Sequence, residues 1–212
     1  MKKFILLINI LFVSINIVNA QTPYEKGMNK AFELWENNKI TEATQLFERI
    51  SKVEKNNWLP PFYVASLKII SSFGLKDEAV LKAKLTNAQK YLDEAEKISK
   101  NNPEIIITQA LLNTAYIAFD GQKYGMRLSG QNYALYSKAL QLAPKNPRVI
   151  LGKAEWDMGG AKFFGKSIKP FCKDVKRALE LFKTYQPKDK FYPKWGKKRA
   201  EGILKECNSK KI

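Results

Sequence analysis

Apolar residues recur along this chain at spacings of three and four, as in Ala31, Leu34, Trp35 and then Ala43, Leu46, Phe47, Ile50. That period places them on one face of a helix, and the strict alternation of a half-buried strand is absent. The pattern predicts helices near 23–38, 41–54, 60–73, 78–99, 103–118, 128–142, 147–158, 169–185 and 193–207. Several starts are marked. Thr22-Pro23-Tyr24-Glu25 has the form of a capping box with proline at the first helical position, and Asn102-Pro103 and Asn146-Pro147 repeat the cap-then-proline device.

Small residues add a second, longer period. Ile50 to Ala65, Ala95 to Ala110 and Ala139 to Ala154 are each separated by 15 positions. Grouped into four hairpins, the helices carry Ala31, Ala65, Ala110 and Ala154 in the first member and Ile50, Ala95, Ala139 and Ala178 in the second. Small residues at such places let two helix axes approach closely. The second-helix stretches Ala88, Leu92, Ala95 with Ile98-Ser99-Lys100-Asn101-Asn102, and Tyr136, Ala139, Leu142, Pro144 with Asn146, resemble the tetratricopeptide repeat. The resemblance implies an all-α solenoid of about four hairpins, closed by a capping helix that starts at Tyr192-Pro193-Lys194-Trp195-Gly196. It also implies protein–protein interaction as the work, with no catalysis and no cofactor.

The repeats depart from the family spacing. The interval between the paired small positions is 19 residues in the first hairpin and 30, 29 and 24 in the next three. The added residues fall at one edge, either as a binding surface or as longer helices shielding apolar sides. The family's carboxylate clamp of Lys, Arg and Asn is missing. Its groove positions hold Met28, Phe32, Leu59, Phe62, Ile69, Ile70, Ile107 and Leu111, an apolar wall that either takes a partner segment or is filled by the chain itself as core.

The first twenty residues stand apart from this pattern. Lys2 and Lys3 precede an apolar run from Phe4 to Val18 that ends in Val18-Asn19-Ala20, the form of a cleaved export signal. The run is shorter than the ~20 apolar residues of a membrane span and contains Asn9, Ser14 and Asn16. Cleavage after Ala20 leaves a single helical domain, residues 21–212, in the periplasm or outside the cell, with no membrane span.

Charge is concentrated at the far end. Of a formal net charge of +17, residues 161–212 carry 16 Lys and Arg against 5 Asp and Glu. Lys162, Lys166, Lys169, Lys173, Lys176, Arg177, Lys194, Lys197, Lys198 and Arg199 are interleaved there with Phe163, Phe164, Phe171, Tyr192 and Trp195. They read either as an anion-binding face for envelope glycolipid, phospholipid or polysaccharide, or as a solvated surface. Only five of the 37 basic residues are arginine, so the arginine forks of sequence-specific nucleic-acid recognition are scarce.

Catalytic chemistry is thinly represented. Gly160-Ala161-Lys162-Phe163-Phe164-Gly165-Lys166-Ser167 fits the phosphate-loop pattern, which keeps a nucleotide-binding enzyme as a remote alternative. A working loop of that type follows a strand, whereas this one follows a predicted helix, and Gly159, Gly160 and Gly165 are expected to form a wide turn. The chain has no histidine, which removes the commonest general base and metal ligand, and two cysteines alone make no zinc site. Cys172 and Cys207 are equidistant from a turn expected around Pro187–Tyr192, so two antiparallel helices bring both sulfurs to the same end. In an oxidising compartment they form a disulfide, the alternative being two separately buried thiols.

Overall fold

The computed structural model describes residues 21–209, so the export signal expected at 1–20 lies outside the described residues. These contain helices and turns and no strand. The helices are α1 (Pro23–Glu36), α2 (Ile40–Val53), α3 (Leu59–Ile70), α4 (Glu78–Ile98), α5 (Pro103–Phe119), α6 (Gly121–Leu142), α7 (Pro147–Phe163), α8 (Cys172–Thr184) and α9 (Lys197–Asn208), with a 3₁₀ turn at Lys169–Phe171. The expected caps are in place. Thr22 and Glu25 complete a capping box, and the side chains of Asn102 and Asn146 accept from the amides of Glu104 and Arg148.

Each helix packs chiefly against its neighbours in sequence, most closely in α5–α6, α3–α4 and α1–α2, then equally in α2–α3 and α7–α8, and α8 packs again on α9. The small positions sit where backbones meet: Ala31, Ala65, Ala110, Ala154, Ala95, Ala139 and Ala178 are all buried. Met28, Phe47, Phe62 and Tyr63 centre one core formed by α1 to α5, and Val175, Ala178 and Ala200 centre a second formed by α7 to α9. A third cluster around Ala110, Ala139 and Val149 joins them.

Three boundaries differ from the sequence expectation by four residues or more. Helix α6 starts seven residues earlier than 128, because Asp120 caps it and the buried stripe Tyr124, Leu128, Asn132, Tyr136, Ala139 continues back through Gly125 and Gly130. Helix α7 runs on through Gly159 and Gly160, which therefore form no turn: Ala154, Met158 and Ala161 keep the helical spacing on the buried side. Helix α9 starts at Lys197, four residues later than 193.

The late start of α9 reflects the work of residues 185–196, which form an irregular strap over the first helices. Phe191, Tyr192 and Pro193 are buried. Phe191 stacks on Phe32, with centroids 6.0 Å apart, and Tyr24 meets its edge at 5.5 Å. Trp195 packs against Trp35, Phe62 and Tyr63 at 5.6, 6.2 and 5.8 Å. The Tyr63 hydroxyl donates to the carbonyl of Phe191 at 2.5 Å, across 128 positions of sequence. Gly196 then turns the chain into α9 with φ +123°, and a Cβ there would lie 2.7 Å from the Phe182 ring.

The strap is anchored by a buried ion pair. Glu104 of α5 and Arg148 of α7 are 0% and 8% exposed and meet at 2.7 Å between Oε2 and Nε. Arg148 Nη1 donates to the Trp195 carbonyl at 2.8 Å, its guanidinium lies 3.9 Å from the centre of the Trp195 ring, and Asn146 donates to the other oxygen of Glu104. Cys172 and Cys207 form the disulfide that closes the 35-residue span holding the strap.

Two stability predictions follow from these anchors. Arg148→Met leaves the Glu104 carboxylate buried without its cation, and urea unfolding is expected to show a loss of about 3–5 kcal/mol, with the Glu104→Met/Arg148→Met pair losing less than the single change. Replacing both cysteines by serine is expected to remove about 2–4 kcal/mol, read as a lower unfolding midpoint that reducing agent reproduces in the unaltered protein.

Candidate functional site

The apolar wall read from the sequence is not an open groove. Met28, Leu59, Phe62, Ile69 and Ile107 are buried, Phe32 and Leu111 are half-buried, and Phe191 and Trp195 of the strap lie against Phe32 and Phe62. Only Ile70, 44% exposed, reaches solvent, at the end of α3. Filling by the chain's own rings removes from water apolar surface of the first helices that would otherwise be open.

Three exposed apolar side chains lie instead about the turn between α3 and α4. Phe73 is 42% exposed in the α3–α4 turn, with Ile70 before it and Val80 after it. A cleft of about 250 Å³ opens between this turn and the end of α5, lined by Ser72, Phe73, Gly74, Leu75 and Lys76 on one side and Ala115, Ala118 and Phe119 on the other. Residues added relative to the first hairpin build this edge: α4 and α6 have 21 and 22 residues against 14 in α2.

Lys76 is the one cation in the wall of this cleft. Two positions beyond Lys76, Glu78 opens α4 and receives Lys82 at 2.9 Å, Lys123 at 2.5 Å and the Tyr124 hydroxyl at 2.6 Å. One carboxylate thus ties the start of α6 to the start of α4. Hydrogen bonds from Lys123, then Tyr124 and Lys82, hold the Glu78 carboxyl down at about 2, against an ordinary 4.5, and Glu78 in turn raises both lysines. With two ammonium groups on one carboxylate the cluster is net positive. Phe73 offers an exposed ring and Phe119 a half-buried one, Lys76 lies in the cleft wall, and Lys82 and Lys123 are held on Glu78, so the edge suits a flat apolar ligand that carries negative charge.

A second, shallower cleft of about 420 Å³ lies between α5 and α6, lined by Gln109, Asn113, Gln131, Ala134, Leu135 and Lys138. Its lining has one cation and no aromatic ring. The phosphate-loop pattern makes no phosphate cradle: Gly160 lies inside α7, Gly165 turns the chain at φ +64°, and no strand precedes them among the described residues. Among the described residues no cluster of acidic and cysteine side chains is arranged to hold a metal.

Lys162, Lys166, Lys169, Lys173, Lys176, Arg177, Lys194, Lys197, Lys198 and Arg199 are all exposed. Part of this charge is internally compensated, since Lys162 pairs with Glu206 and Arg199 with Glu155, and Arg177 donates to the Pro144 carbonyl. The sequence reading passed over Phe73, Lys76, Glu78, Phe119 and Lys123. Their signal is local: a phenylalanine between Ser71-Ser72 and Gly74, at the end of the helix expected over 60–73, and another before Asp120-Gly121, just past the helix expected over 103–118.

The Glu78 network sets a pH window. A carboxyl whose folded value is depressed stabilises the fold above its ordinary 4.5 and loses that contribution as pH falls toward about 2. Side-chain carboxyl NMR is expected to show Glu78 titrating near 2, and Lys123→Met is expected to move it back toward 4.5. Because the group is open to solvent, salt weakens the effect.

No protein-family model matches the chain, and no curated protein matches it. Among solved structures, it is similar to the HusA haemophore from Porphyromonas gingivalis, with a TM-score of 0.78 and 21% sequence identity over 90% of this chain and 96% of that one. At this identity the likeness is one of fold, an all-helical architecture shared over nearly the whole length of both chains.

Proposed function

We propose that this protein is an exported, non-catalytic binding protein whose ligand is a flat apolar ring bearing carboxylates, of the porphyrin class, held at the edge between the α3–α4 turn and the end of α5. The observation that carries this reading is the cleft between the exposed Phe73 and the half-buried Phe119, with Lys76 in its wall and the Lys82–Glu78–Lys123 cluster opening two positions further on. The fold shared with a protein described as a haemophore supports it. The pairing of α1 to α8 and the buried alanines support a solenoid of four tetratricopeptide-like hairpins capped by α9, the arrangement that sets these turns along one edge. Export is supported by the Lys2-Lys3 and apolar leader pattern and by the Cys172–Cys207 disulfide.

The donor set decides how such a ligand would be held. The chain has no histidine and no free cysteine, so two of the usual axial ligands of haem iron are absent. Affinity then comes from stacking on the phenylalanines and from pairing of the ligand's carboxylates with lysines. A cleft of about 250 Å³ takes one edge of the ring and leaves the rest in solvent. A partner-clamping scaffold, by contrast, would need the apolar wall that Phe191 and Trp195 cover.

The test is titration of the purified protein with haemin and with metal-free protoporphyrin, followed by the ring's absorption and by quenching of tyrosine and tryptophan fluorescence. Both are expected to bind, with dissociation constants within about tenfold of one another. Phe73→Ala and Lys76→Glu are each expected to weaken binding by roughly tenfold, consistent with loss of a stacked ring or of a paired charge. Failure of both porphyrins to bind would overturn the function, and binding unchanged in both variants would overturn the site.

A further inference from the structure

The tip between α7 and α8 combines two features that the ligand edge does not use. Phe163 and Phe164 lie next to each other at the end of α7, 74% and 71% exposed, with ring centroids 5.1 Å apart in an edge-to-face pair. Single exposed apolar side chains need no explanation, but two adjacent phenylalanines projecting from one helix end put a compact apolar surface into water. The backbone does not demand them there. Phe163 is the last residue of α7, and the turn itself is made by Gly165 and by the Lys166 amide donating back to the Ala161 carbonyl at 2.7 Å.

Lysines follow directly. Lys166 and Lys169 flank the turn, and Lys173 and Lys176 continue from Lys169 at helical spacing along the outward side of α8, opposite the buried Val175, Ala178 and Phe182. These four are exposed and make no ion pair among the described residues, unlike Lys162, which Glu206 neutralises, and Lys183, which pairs with Glu180 one turn further on. Four cations without an ion-pair partner therefore follow the two rings in sequence and run down one side of α8, although Lys194, Lys197 and Lys198 are likewise exposed and unpaired among the described residues. The disulfide holds the end of α9 against the start of α8, so this end of the molecule is fixed as a unit.

We propose that this tip docks on the surface of an anionic phospholipid bilayer. Phe163 and Phe164 enter the boundary between head groups and acyl chains, and Lys166, Lys169, Lys173 and Lys176 lie over the phosphates. Aromatic side chains favour that boundary, and basic residues beside it are drawn by the negative surface potential. Ammonium point charges on flexible stems match a diffuse array of phosphates better than a fixed bidentate acceptor. A second protein would be expected to meet a flatter apolar patch with charge at its rim, whereas here the two rings project and the charge runs down one side.

Flotation of the full chain, purified as the cell processes it, with vesicles of phosphatidylcholine alone and of phosphatidylcholine mixed with phosphatidylglycerol tests this docking. Binding is expected to the mixed vesicles only, and to fall as salt is raised. Phe163→Ser with Phe164→Ser is expected to reduce it by roughly tenfold. Lys166→Glu, Lys169→Glu and Lys173→Glu together are expected to reduce it on the order of a hundredfold, and the same three changed to Arg to retain it. Helical circular dichroism and porphyrin titration of each variant report the fold and the ligand edge separately, so failure of the porphyrin reading leaves the vesicle result interpretable. Equal binding to neutral vesicles, binding indifferent to both sets of changes, or self-association through the two phenylalanines without vesicle binding would each overturn the proposal.

Discussion

The pairing of Arg148 with Glu104 is the constraint on which the rest of this fold depends. A carboxylate that is 0% exposed is tolerated only with a cation and further hydrogen bonds around it, and here Arg148 and Asn146 supply both. Having paired with Glu104, the guanidinium has one edge and one face left, and Trp195 takes both, the carbonyl on Nη1 and the ring over the plane. A residue near the end of the chain is thereby fixed to α5 and α7. The course of the strap follows from that point.

With Trp195 fixed, Phe191 and Tyr192 are carried over α1 and α3, and the rings there close around them. Tyr63 shows how completely. It is 1% exposed, its hydroxyl is occupied by the Phe191 carbonyl, and burial pushes its ionisation well above the ordinary range, with Arg148 opposing only in part. The disulfide supports the same arrangement from the other side by keeping α8 and α9 together while the chain between them travels across the molecule and back. Apolar surface on the first helices is thus converted to core.

How much of this was legible in the sequence depends on the range over which the determining interactions act. Helices α1 to α5 could be read because their signals are local: Thr22 with Glu25, Asn102 before Pro103, and apolar stripes at helical spacing. The disulfide could be read because symmetric placement of Cys172 and Cys207 about a turn survives the turn being a long strap. The start of α9 could not. Pro193 looks like a first helical residue, yet it lies outside the helix, in a segment held by contacts that Phe191 and Trp195 make with residues more than a hundred positions away. No period in the sequence encodes a contact of that kind. The ends of α6 and α7 were misjudged for a simpler reason: Gly125, Gly130, Gly159 and Gly160 each weaken a helix by about 1 kcal/mol, which a continuous buried stripe and the Asp120 cap outweigh.

The two edge surfaces differ in how their charge is balanced, and that difference separates their roles. At the cleft, Lys82 and Lys123 are held by Glu78, so their positions are fixed and their net field is small and short in range. Fixed cations near an exposed ring suit a small ligand of defined shape, because the site is arranged before the ligand arrives. At the α7–α8 tip, Lys166, Lys169, Lys173 and Lys176 make no ion pair among the described residues, and their long side chains are exposed to solvent. Exposed, like-signed charge is a poor template for a single small ligand and a good one for an extended surface, where many phosphates meet many ammonium groups without register. The lysine excess of this chain therefore divides in two according to whether a carboxylate neighbour constrains it.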